Sequence, residues 1–223
     1  MQLQAIAAKI DHTLLRPSAG PTDVDMLMDD AVRYRFASVI VQPCWVRYAV
    51  QRAQVPVGSV IDFPMGCGLQ SIRLAEARQL VELGVREIDM VINLGAACAD
   101  RWKQVSDEIA AVVDVCHGAS HCLLKVILET SFLNEVRIKA AVEACVRAGA
   151  DFVKTATGLQ GGGATVADVR LMAEQAAGRI GVKAAGGIRT ASQLLALIEA
   201  GATRIGASHS VRIMEELESG SYS

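Results

Sequence analysis

The chain has 223 residues, of which 52% are hydrophobic and 21% are charged, and its formal net charge at pH 7 is -2. This length suits one large domain, and the small net charge gives no sign of a basic surface of the kind that binds nucleic acid. The sequence has no apolar stretch of membrane-spanning length and no signal peptide, so we expect one domain over residues 1–223 with no membrane or nucleic-acid partner.

The six cysteines indicate a reducing compartment. None of them lies in a Cys-x-x-Cys pair, and in a chain of this size such cysteines are typical of buried, unpaired thiols. We therefore expect a cytoplasmic protein.

Short β-rich runs alternate with amphipathic helical runs along almost the whole chain. The predicted strands are 9–13, 37–42, 57–62, 87–93, 122–129, 151–155, 182–185 and 204–207. Helical runs such as 71–83 and 134–148 lie between them, and Thr165 and Thr190 are predicted N-caps of two further helices. Eight such units without a linker predict an α/β fold, a single-domain (β/α)8 TIM barrel. A doubly wound open sheet is the alternative, but eight strands in this length favour closure.

A repeated spacing connects the ends of four predicted helices to the strands that follow. Each helix stops at a glycine, the residue that most readily adopts the left-handed conformation at a helix end. These glycines are Gly84, Gly149, Gly178 and Gly201. The residues five positions later are Asp89, Lys154, Lys183 and Gly206. The spacing predicts that these four lie at one height, at the C-terminal ends of the strands, where barrel active sites are built.

Charged residues occupy strand positions that should be apolar. They are Asp11, Asp89, Lys125, Glu129, Lys154 and Lys183. Taken alone, Lys154 could extend outwards from a strand end, and a cluster of such residues could be a structural ion-pair network. However, a buried ammonium with a second ammonium beside it has a lowered pKa and becomes a nucleophile for carbonyl groups. We predict that Lys154 is this neutral amine, that Lys183 is the perturbing cation and that Asp89 moves protons.

Glycine-rich loops follow the last three predicted strands. Gly158 begins a loop after the sixth strand, Gly186 and Gly187 follow the seventh, and Gly206 and Ser208 lie at the eighth. Loops after the seventh and eighth strands of a barrel often bind phosphate, because glycine lets backbone N–H groups approach an anion. Together with the lysines, these loops predict a small phosphorylated carbonyl compound as the ligand.

A possible metal site lies elsewhere in the sequence. Asp114, Cys116, His117, His121 and Cys122 are close together, as zinc ligands often are. Their predicted place is the connection before the fifth strand, on the face of the barrel away from the lysines. We therefore expect no metal there.

Two further residues have an open interpretation. His12 is next to Asp11 and could support the site, although a hydrogen-bonded structural histidine explains it equally well. Tyr222 lies in a C-terminal tail that we expect to be mobile from about residue 218, because disorder concentrates at chain termini, although the tail could also fold over the mouth of the site.

Five segments, in this order, resemble the deoxyribose-phosphate aldolase family. They are 10–15 (IDHTLL), 87–93 (EIDMVIN), 124–130 (LKVILET), 152–158 (FVKTATG) and 182–190 (VKAAGGIRT). The resemblance, which extends from about Ile10 to about Glu216, implies a (β/α)8 barrel and a Schiff-base aldolase that needs no metal or cofactor. It also implies cleavage of a small phosphorylated sugar, 2-deoxy-D-ribose 5-phosphate, to D-glyceraldehyde 3-phosphate and acetaldehyde, and the reverse addition.

The resemblance also implies a role for each charged residue. Lys154 matches the family's Schiff-base lysine, Lys183 its second lysine and Asp89 its proton-transferring aspartate. Asp11 and Lys125 match the charges that support this aspartate.

The phosphate site and one strand position depart from the family pattern. Gly158, Gly186, Gly187, Gly206 and Ser208 fall where the family holds phosphate. His209 stands where the family usually has a second serine. Its imidazole could join the phosphate site, or its ring could point into solvent and only its backbone contribute. Ile40 stands where the family often has a cysteine, which leaves the mechanism unchanged.

Two other functions and the assembly stay open at this point. Another phosphosugar barrel enzyme, such as an isomerase or a different Schiff-base aldolase, would keep the glycine loops. A non-catalytic barrel would bind phosphorylated metabolites but would have no use for a desolvated lysine pair. Because the helical exteriors of barrels often pair, we expect a homodimer.

Overall fold

The computed structural model describes residues 2–119 and 122–221. Its strands are β1 Ile10–Leu14, β2 Ser38–Val41, β3 Val57–Ile61, β4 Glu87–Val91, β5 Leu123–Ile127, β6 Phe152–Lys154, β7 Gly181–Ala185 and β8 Arg204–Ala207. Its helices are α1 Leu3–Ala7, α2 Pro21–Tyr34, α3 Val46–Val50, α4 Gln70–Glu82, α5 Leu94–Cys98, α6 Trp102–Ala119, α7 Glu135–Ala148, α8 Val166–Ala176, α9 Ala191–Glu199 and α10 Ser210–Ser219. All eight predicted strands form, with their ends shifted by at most two residues.

The strands close into a parallel barrel in chain order. β8 pairs with β1 through Ile205 and Ile10, so the sheet has no free edge and the open-sheet alternative is wrong. The predicted (β/α)8 TIM barrel is confirmed. No helix within residues 2–119 and 122–221 is long and apolar enough to cross a membrane.

The strands are buried on both faces, as expected where helices surround a parallel barrel. In β4, Ile88 and Met90 point outwards into the hydrophobic core shared with the helices, and both are fully buried. Glu87 and Asp89 alternate with them and point into the barrel, where they are buried as well. The hydrophobic core is therefore the layer between strands and helices, and the barrel interior is free to hold charge.

The pairing of the strands places twelve inward-facing residues of the barrel in three successive layers of four. Because the strands tilt, alternate strands contribute to one layer, and a step of two strands advances the level by two residues. The lower layer is Ser38, Glu87, Phe152 and Arg204. The middle layer is Asp11, Gly58, Lys125 and Lys183. The upper of these three layers is Ile40, Asp89, Lys154 and Gly206. Above it, at the C-terminal strand ends, the inward-facing residues are Thr13, Val60, Ile127 and Ala185.

These layers correct the height predicted from the glycine spacing. Asp89, Lys154 and Gly206 share the upper layer, as predicted, because they lie on even-numbered strands. Lys183 lies in the middle layer, although it pairs directly with Lys154, because neighbouring tilted strands are offset by one residue. The same offset places Lys183 beneath Lys154 and further from the mouth of the barrel.

The predicted helix ends are confirmed. Gly84, Gly149, Gly178 and Gly201 have φ of 96°, 81°, 72° and 111°, the left-handed region that glycine tolerates. Thr165 and Thr190 accept hydrogen bonds from the backbone N–H groups of Asp168 and Gln193 and so cap α8 and α9.

The start of the predicted C-terminal tail is helical, because α10 runs to Ser219 and so includes residues 218 and 219. Tyr222 lies outside the described residues.

Candidate active site

Asp89 joins three lysines inside the barrel. Its Oδ2 atom accepts hydrogen bonds from Lys154 and Lys183, and each Nζ lies 2.7 Å away. Its Oδ1 atom accepts a third from Lys125, 3.1 Å away. The carboxylate of Asp89 is fully buried. Burial alone would raise the pKa of Asp89, but the ammonium groups of Lys125, Lys154 and Lys183 outweigh it and hold this pKa well below its usual range.

Asp11 contacts two of these lysines, Lys125 and Lys183, from the opposite wall. Its carboxylate contacts Lys183 at 2.5 Å and Lys125 at 3.2 Å. Its Oδ1 accepts hydrogen bonds from Ser38 at 2.9 Å and from Arg204 at 2.6 Å. Asp11 is also fully buried, so its charge is compensated only by these neighbours.

Two charged residues of the lower layer complete the network, and sequence reasoning missed both. Glu87 accepts a hydrogen bond from Lys125 at 2.5 Å and another from Arg204 at 3.1 Å. The guanidinium of Arg204 also lies over the ring of Phe152, 5.4 Å from its centroid. Glu87 stands two residues before Asp89, and Arg204 stands two residues before Gly206. The two-residue period of a strand puts each pair on one face and was the signal that could have identified Glu87 and Arg204.

The interior carries more positive than negative groups. The cations are Lys125, Lys154, Lys183 and Arg204, and the carboxylates are Asp11, Glu87 and Asp89. Lys154 contacts one of these carboxylates, whereas each of the other cations contacts two or three. Lys154 is therefore the cation whose charge is compensated least.

The pKa values of the lysines follow this difference. Burial lowers the pKa of Lys154 to about 8; the Asp89 carboxylate opposes the lowering, and the Lys183 ammonium adds to it. Burial would lower the pKa of Lys125 as well, but Asp11, Asp89 and Glu87 outweigh it and raise this pKa. Lys154 is thus the lysine that can be a neutral amine near neutral pH.

Lys154 lies at the floor of a cavity of about 360 Å³ at the C-terminal mouth of the barrel. All six residues expected at the phosphate line this cavity: Gly158, Gly186, Gly187, Gly206, Ser208 and His209. His209 stands immediately before α10, exposed, and its side chain makes no capping hydrogen bond. The structure therefore brings the reactive-lysine candidate and the predicted phosphate loops to one cavity.

Glycine is required where the loops after β6 and β7 touch. A Cβ on Gly158 would lie 3.1 Å from Cα of Gly186, and a Cβ on Gly163 would lie 2.7 Å from the carbonyl oxygen of Gly186. Gly158 and Gly186 also have φ of 78° and 99°. The two loops therefore pack backbone against backbone, which only glycine allows at these positions.

Two arginines in this cavity were also missed. Arg16 follows β1 and pairs with Asp23, and Arg189 precedes Thr190, the N-cap of α9. Both line the cavity, together with the glycine loops. They lie in loops, where no periodicity marks a residue as facing a site. Arg189 adds a positive charge to this cavity wall, which suits a phosphate, whereas the charge of Arg16 is paired with that of Asp23.

Glu129 has a different place from the one predicted. β5 ends at Ile127, and Glu129 has a left-handed backbone with φ of 51°, so it does not share the inward face with Lys125. Its buried carboxylate accepts hydrogen bonds from the Thr157 N–H at 3.0 Å and the Thr157 hydroxyl at 2.5 Å. Glu129 therefore holds the loop that leads to Gly158.

The cysteine and histidine cluster lies apart from this cavity. Within residues 2–119 and 122–221, no three His, Cys, Asp or Glu side chains are arranged to hold a metal. Cys116 and Cys122 are buried, and His117 contacts Asp151 at 2.9 Å. His121 lies outside the described residues.

His12 points away from the barrel interior. Its ring packs against Phe36 with the centroids 5.1 Å apart, and burial lowers its pKa to about 4. A neutral histidine on the helix side of β1 is a structural residue.

Comparison with known proteins gives one consistent result over nearly the whole chain. A family model described as DeoC/LacD family aldolase matches residues 5–220. Deoxyribose-phosphate aldolase 1 of Bacillus licheniformis is 46% identical over 215 residues, which are 95% of this chain and 96% of the relative. Deoxyribose-phosphate aldolase of Halalkalibacterium halodurans is 46% identical over 224 residues, with 98% and 99% covered. The solved tetrameric deoxyribose phosphate aldolase of Aeropyrum pernix has a TM-score of 0.91 at 32% identity, covering 98% of this chain and 93% of that one.

Proposed function

This chain belongs to the DeoC/LacD family of aldolases, and we propose that it is a lyase that cleaves 2-deoxy-D-ribose 5-phosphate reversibly to D-glyceraldehyde 3-phosphate and acetaldehyde. The names of the relatives support this substrate. One observation carries the reaction type: Lys154 is a buried amine that shares one carboxylate oxygen of Asp89 with Lys183. A barrel that only binds metabolites gains nothing from two ammonium groups competing for one oxygen.

The first step is formation of a Schiff base. The neutral Nζ of Lys154 attacks the aldehyde carbon C1 and forms a C–N bond. Asp89 relays a proton from this nitrogen to the former carbonyl oxygen, because its low pKa makes it an acceptor that does not keep the proton. Lys183 donates a second proton, the oxygen leaves as water, and a protonated iminium joins C1 to Lys154.

The second step breaks the bond between C2 and C3. The hydroxyl on C3 loses its proton to the Lys183–Asp89 pair, which restores the ammonium of Lys183. The electron pair of the C2–C3 bond moves into the iminium and gives an enamine, while C3 becomes the aldehyde of D-glyceraldehyde 3-phosphate. The ammonium of Lys183 protonates C2 and regenerates the iminium. Water then attacks the iminium, acetaldehyde leaves, Lys154 returns to its neutral form, and the released proton returns to the Lys183–Asp89 pair.

The phosphate end of the substrate would lie against the loops after β6, β7 and β8. The left-handed glycines Gly158, Gly186 and Gly187 line the cavity and support this placement, because glycine loops let backbone N–H groups approach an anion. The first turn of α10 lies directly after His209 and adds a helix N-terminus, which favours an anion. Arg189 contributes a positive charge on the same wall.

The place and assembly of the enzyme are part of the proposal. All six cysteines lie in the described part of the chain and are free thiols, which supports the reducing environment of the cytoplasm. We propose a homodimer, supported by large exposed apolar side chains on the helical exterior, such as Ile72 of α4 and Val136 of α7. Light scattering of the purified chain would contradict this if it gave the mass of a monomer at all concentrations.

The direct test of the activity is release of acetaldehyde from 2-deoxy-D-ribose 5-phosphate. We expect turnover by the purified chain and none by Lys154→Arg, which keeps the charge but is no nucleophile. If both proteins are inactive on this sugar, the substrate is wrong. If both are active at the same rate, the Schiff-base mechanism at Lys154 is wrong.

A further inference from the structure

Glu87 and Arg204 are connected to Lys154 without touching it. One chain of ion pairs runs from Arg204 to Glu87 at 3.1 Å, to Lys125 at 2.5 Å, to Asp89 at 3.1 Å and to Lys154 at 2.7 Å. Glu87 and Arg204 lie in the lower layer and Lys154 lies in the upper one. Any effect of Glu87 or Arg204 on Lys154 therefore passes through the middle layer of the barrel.

A second chain connects the same ends by the opposite wall. Arg204 contacts Asp11 at 2.6 Å, Asp11 contacts Lys183 at 2.5 Å, and Lys183 contacts the oxygen of Asp89 that also accepts from Lys154. The side chains of Glu87 and Arg204 are 5% and 14% exposed, so water screens them little. Charges in such an interior act over longer distances than charges at a surface.

We propose that Glu87 and Arg204 are positioning residues that set the protonation state of Lys154 through the charge balance of the barrel interior. Charged groups face this interior from five other positions: Asp11 on β1, Asp89 on β4, Lys125 on β5, Lys154 on β6 and Lys183 on β7. The described residues of β2 and β3 add only the uncharged Ser38, Ile40 and Gly58 to the three layers.

When every group is ionised, the four cations of the barrel interior exceed its three carboxylates by one positive charge. Lys154 is the group that removes this excess, by losing its proton. Arg204 cannot lose its proton in a protein. Lys125 and Lys183 each contact at least two carboxylates, whereas Lys154 contacts only Asp89. Loss of the Lys154 proton therefore makes the interior neutral and breaks the fewest ion pairs.

Two substitutions should shift the pH at which Lys154 loses its proton in opposite directions. Glu87→Gln removes a negative charge, so the excess rises to two and Lys154 should lose its proton at a lower pH. Arg204→Met removes a positive charge, so the excess disappears and Lys154 should keep its proton to a higher pH. The double substitution restores the original excess. A packing defect would not move one titration in two directions.

The measurement is the pH dependence of trace acetylation of Lys154 by acetic anhydride, quantified by mass spectrometry of its peptide. Only the neutral amine reacts, so the midpoint of the curve reports the protonation of Lys154. Lys103 in the same sample is the internal standard, because its side chain is 88% exposed and lies outside the barrel. Arg204→Lys, which keeps the charge, is the matched control, and circular dichroism checks that each variant is folded.

We expect the midpoint about one pH unit lower in Glu87→Gln and about one unit higher in Arg204→Met. The double variant and Arg204→Lys should have the wild-type midpoint. Coincident midpoints in all variants, or shifts of both single variants in one direction, would overturn the proposal. If Arg204→Met does not fold, a wild-type acetylation midpoint of Lys154 in Glu87→Gln is enough to overturn the proposal.

The effect of these residues on catalysis rests on the proposed function, because it requires Lys154 to be the amine that forms the Schiff base. The two claims fail separately. Acetylation uses no sugar and reports the charge balance alone. A titration that moves as expected in a protein that does not cleave deoxyribose 5-phosphate would leave this inference intact and remove the function.

Discussion

Lys154 and Lys183 donate to the same oxygen of Asp89, and each Nζ lies 2.7 Å from it. The two lysines are direct neighbours in the pairing of β6 with β7. Lys183 is compensated by Asp11 as well, whereas Lys154 contacts Asp89 alone. The pKa of Lys154 falls to about 8, chiefly through burial. At pH 7 about a tenth of Lys154 is then a free amine, far more than for an exposed lysine.

Replacing Lys183 by methionine should raise the pKa of Lys154, because the neighbouring positive charge is lost. We expect cleavage at pH 7 to fall by about 10- to 100-fold and to recover in part as pH rises, following a shift of about one to two pH units. The pH profile of kcat checks this, with Lys183→Arg as the control that keeps the charge. A low rate that is flat with pH would mean that Lys183 acts as a proton donor only.

Gly206→Ala should displace Lys183. A Cβ at this position would lie 3.0 Å from Cε of Lys183 and 3.0 Å from Cβ of Ala185, both tighter than ordinary contact. We expect kcat to fall by about 10-fold, since a small misplacement of a catalytic group is costly. Gly118→Ala in α6 is the matched control, because a Cβ there meets nothing within 4 Å. Equal kcat in the two variants would contradict the expected role of Lys183.

Arg189→Ala should weaken binding of the substrate phosphate. We expect KM for deoxyribose 5-phosphate to rise by about 10-fold or more, because a charge-assisted contact is lost. KM for unphosphorylated deoxyribose should not change, which separates loss of the contact from damage to the loop. His209→Ser should give a smaller rise with the same substrate dependence. If both sugars respond equally to Arg189→Ala, this wall of the cavity does not hold the phosphate.

Chelators should leave the activity intact, because the iminium already supplies the electron sink that a metal would provide. Turnover is measured before and after EDTA treatment and dialysis. Loss of activity that zinc restores would contradict the Schiff-base mechanism and would direct attention to Cys116 and Cys122.

The sequence signals that succeeded were local ones. Apolar runs and the glycines that end the helices predicted the eight strands, and charged residues at strand positions revealed Lys154, Lys183 and Asp89. The layers were not predictable, because they depend on the offset between tilted neighbouring strands, which no single segment contains. This offset places Lys183 below Lys154 and explains the error in its predicted height.

The residues that were not predicted lie at positions where the local sequence pattern does not show which way a side chain points. Glu87 and Arg204 are the first residues of β4 and β8, positions that are usually exposed at a strand end. Arg16 and Arg189 lie in loops. Glu129 was assigned to a strand because its neighbours are apolar, but its left-handed backbone ends the strand before it.

The most direct test of the account is the site of covalent trapping. The chain is mixed with acetaldehyde, reduced with borohydride and digested, and the modified lysine is identified by mass spectrometry. We predict one ethyl group on the peptide that contains Lys154, and none in Lys154→Arg. An ethyl group on Lys183 or Lys125 instead, or no modification at all, would contradict the assignment of Lys154 as the Schiff-base lysine.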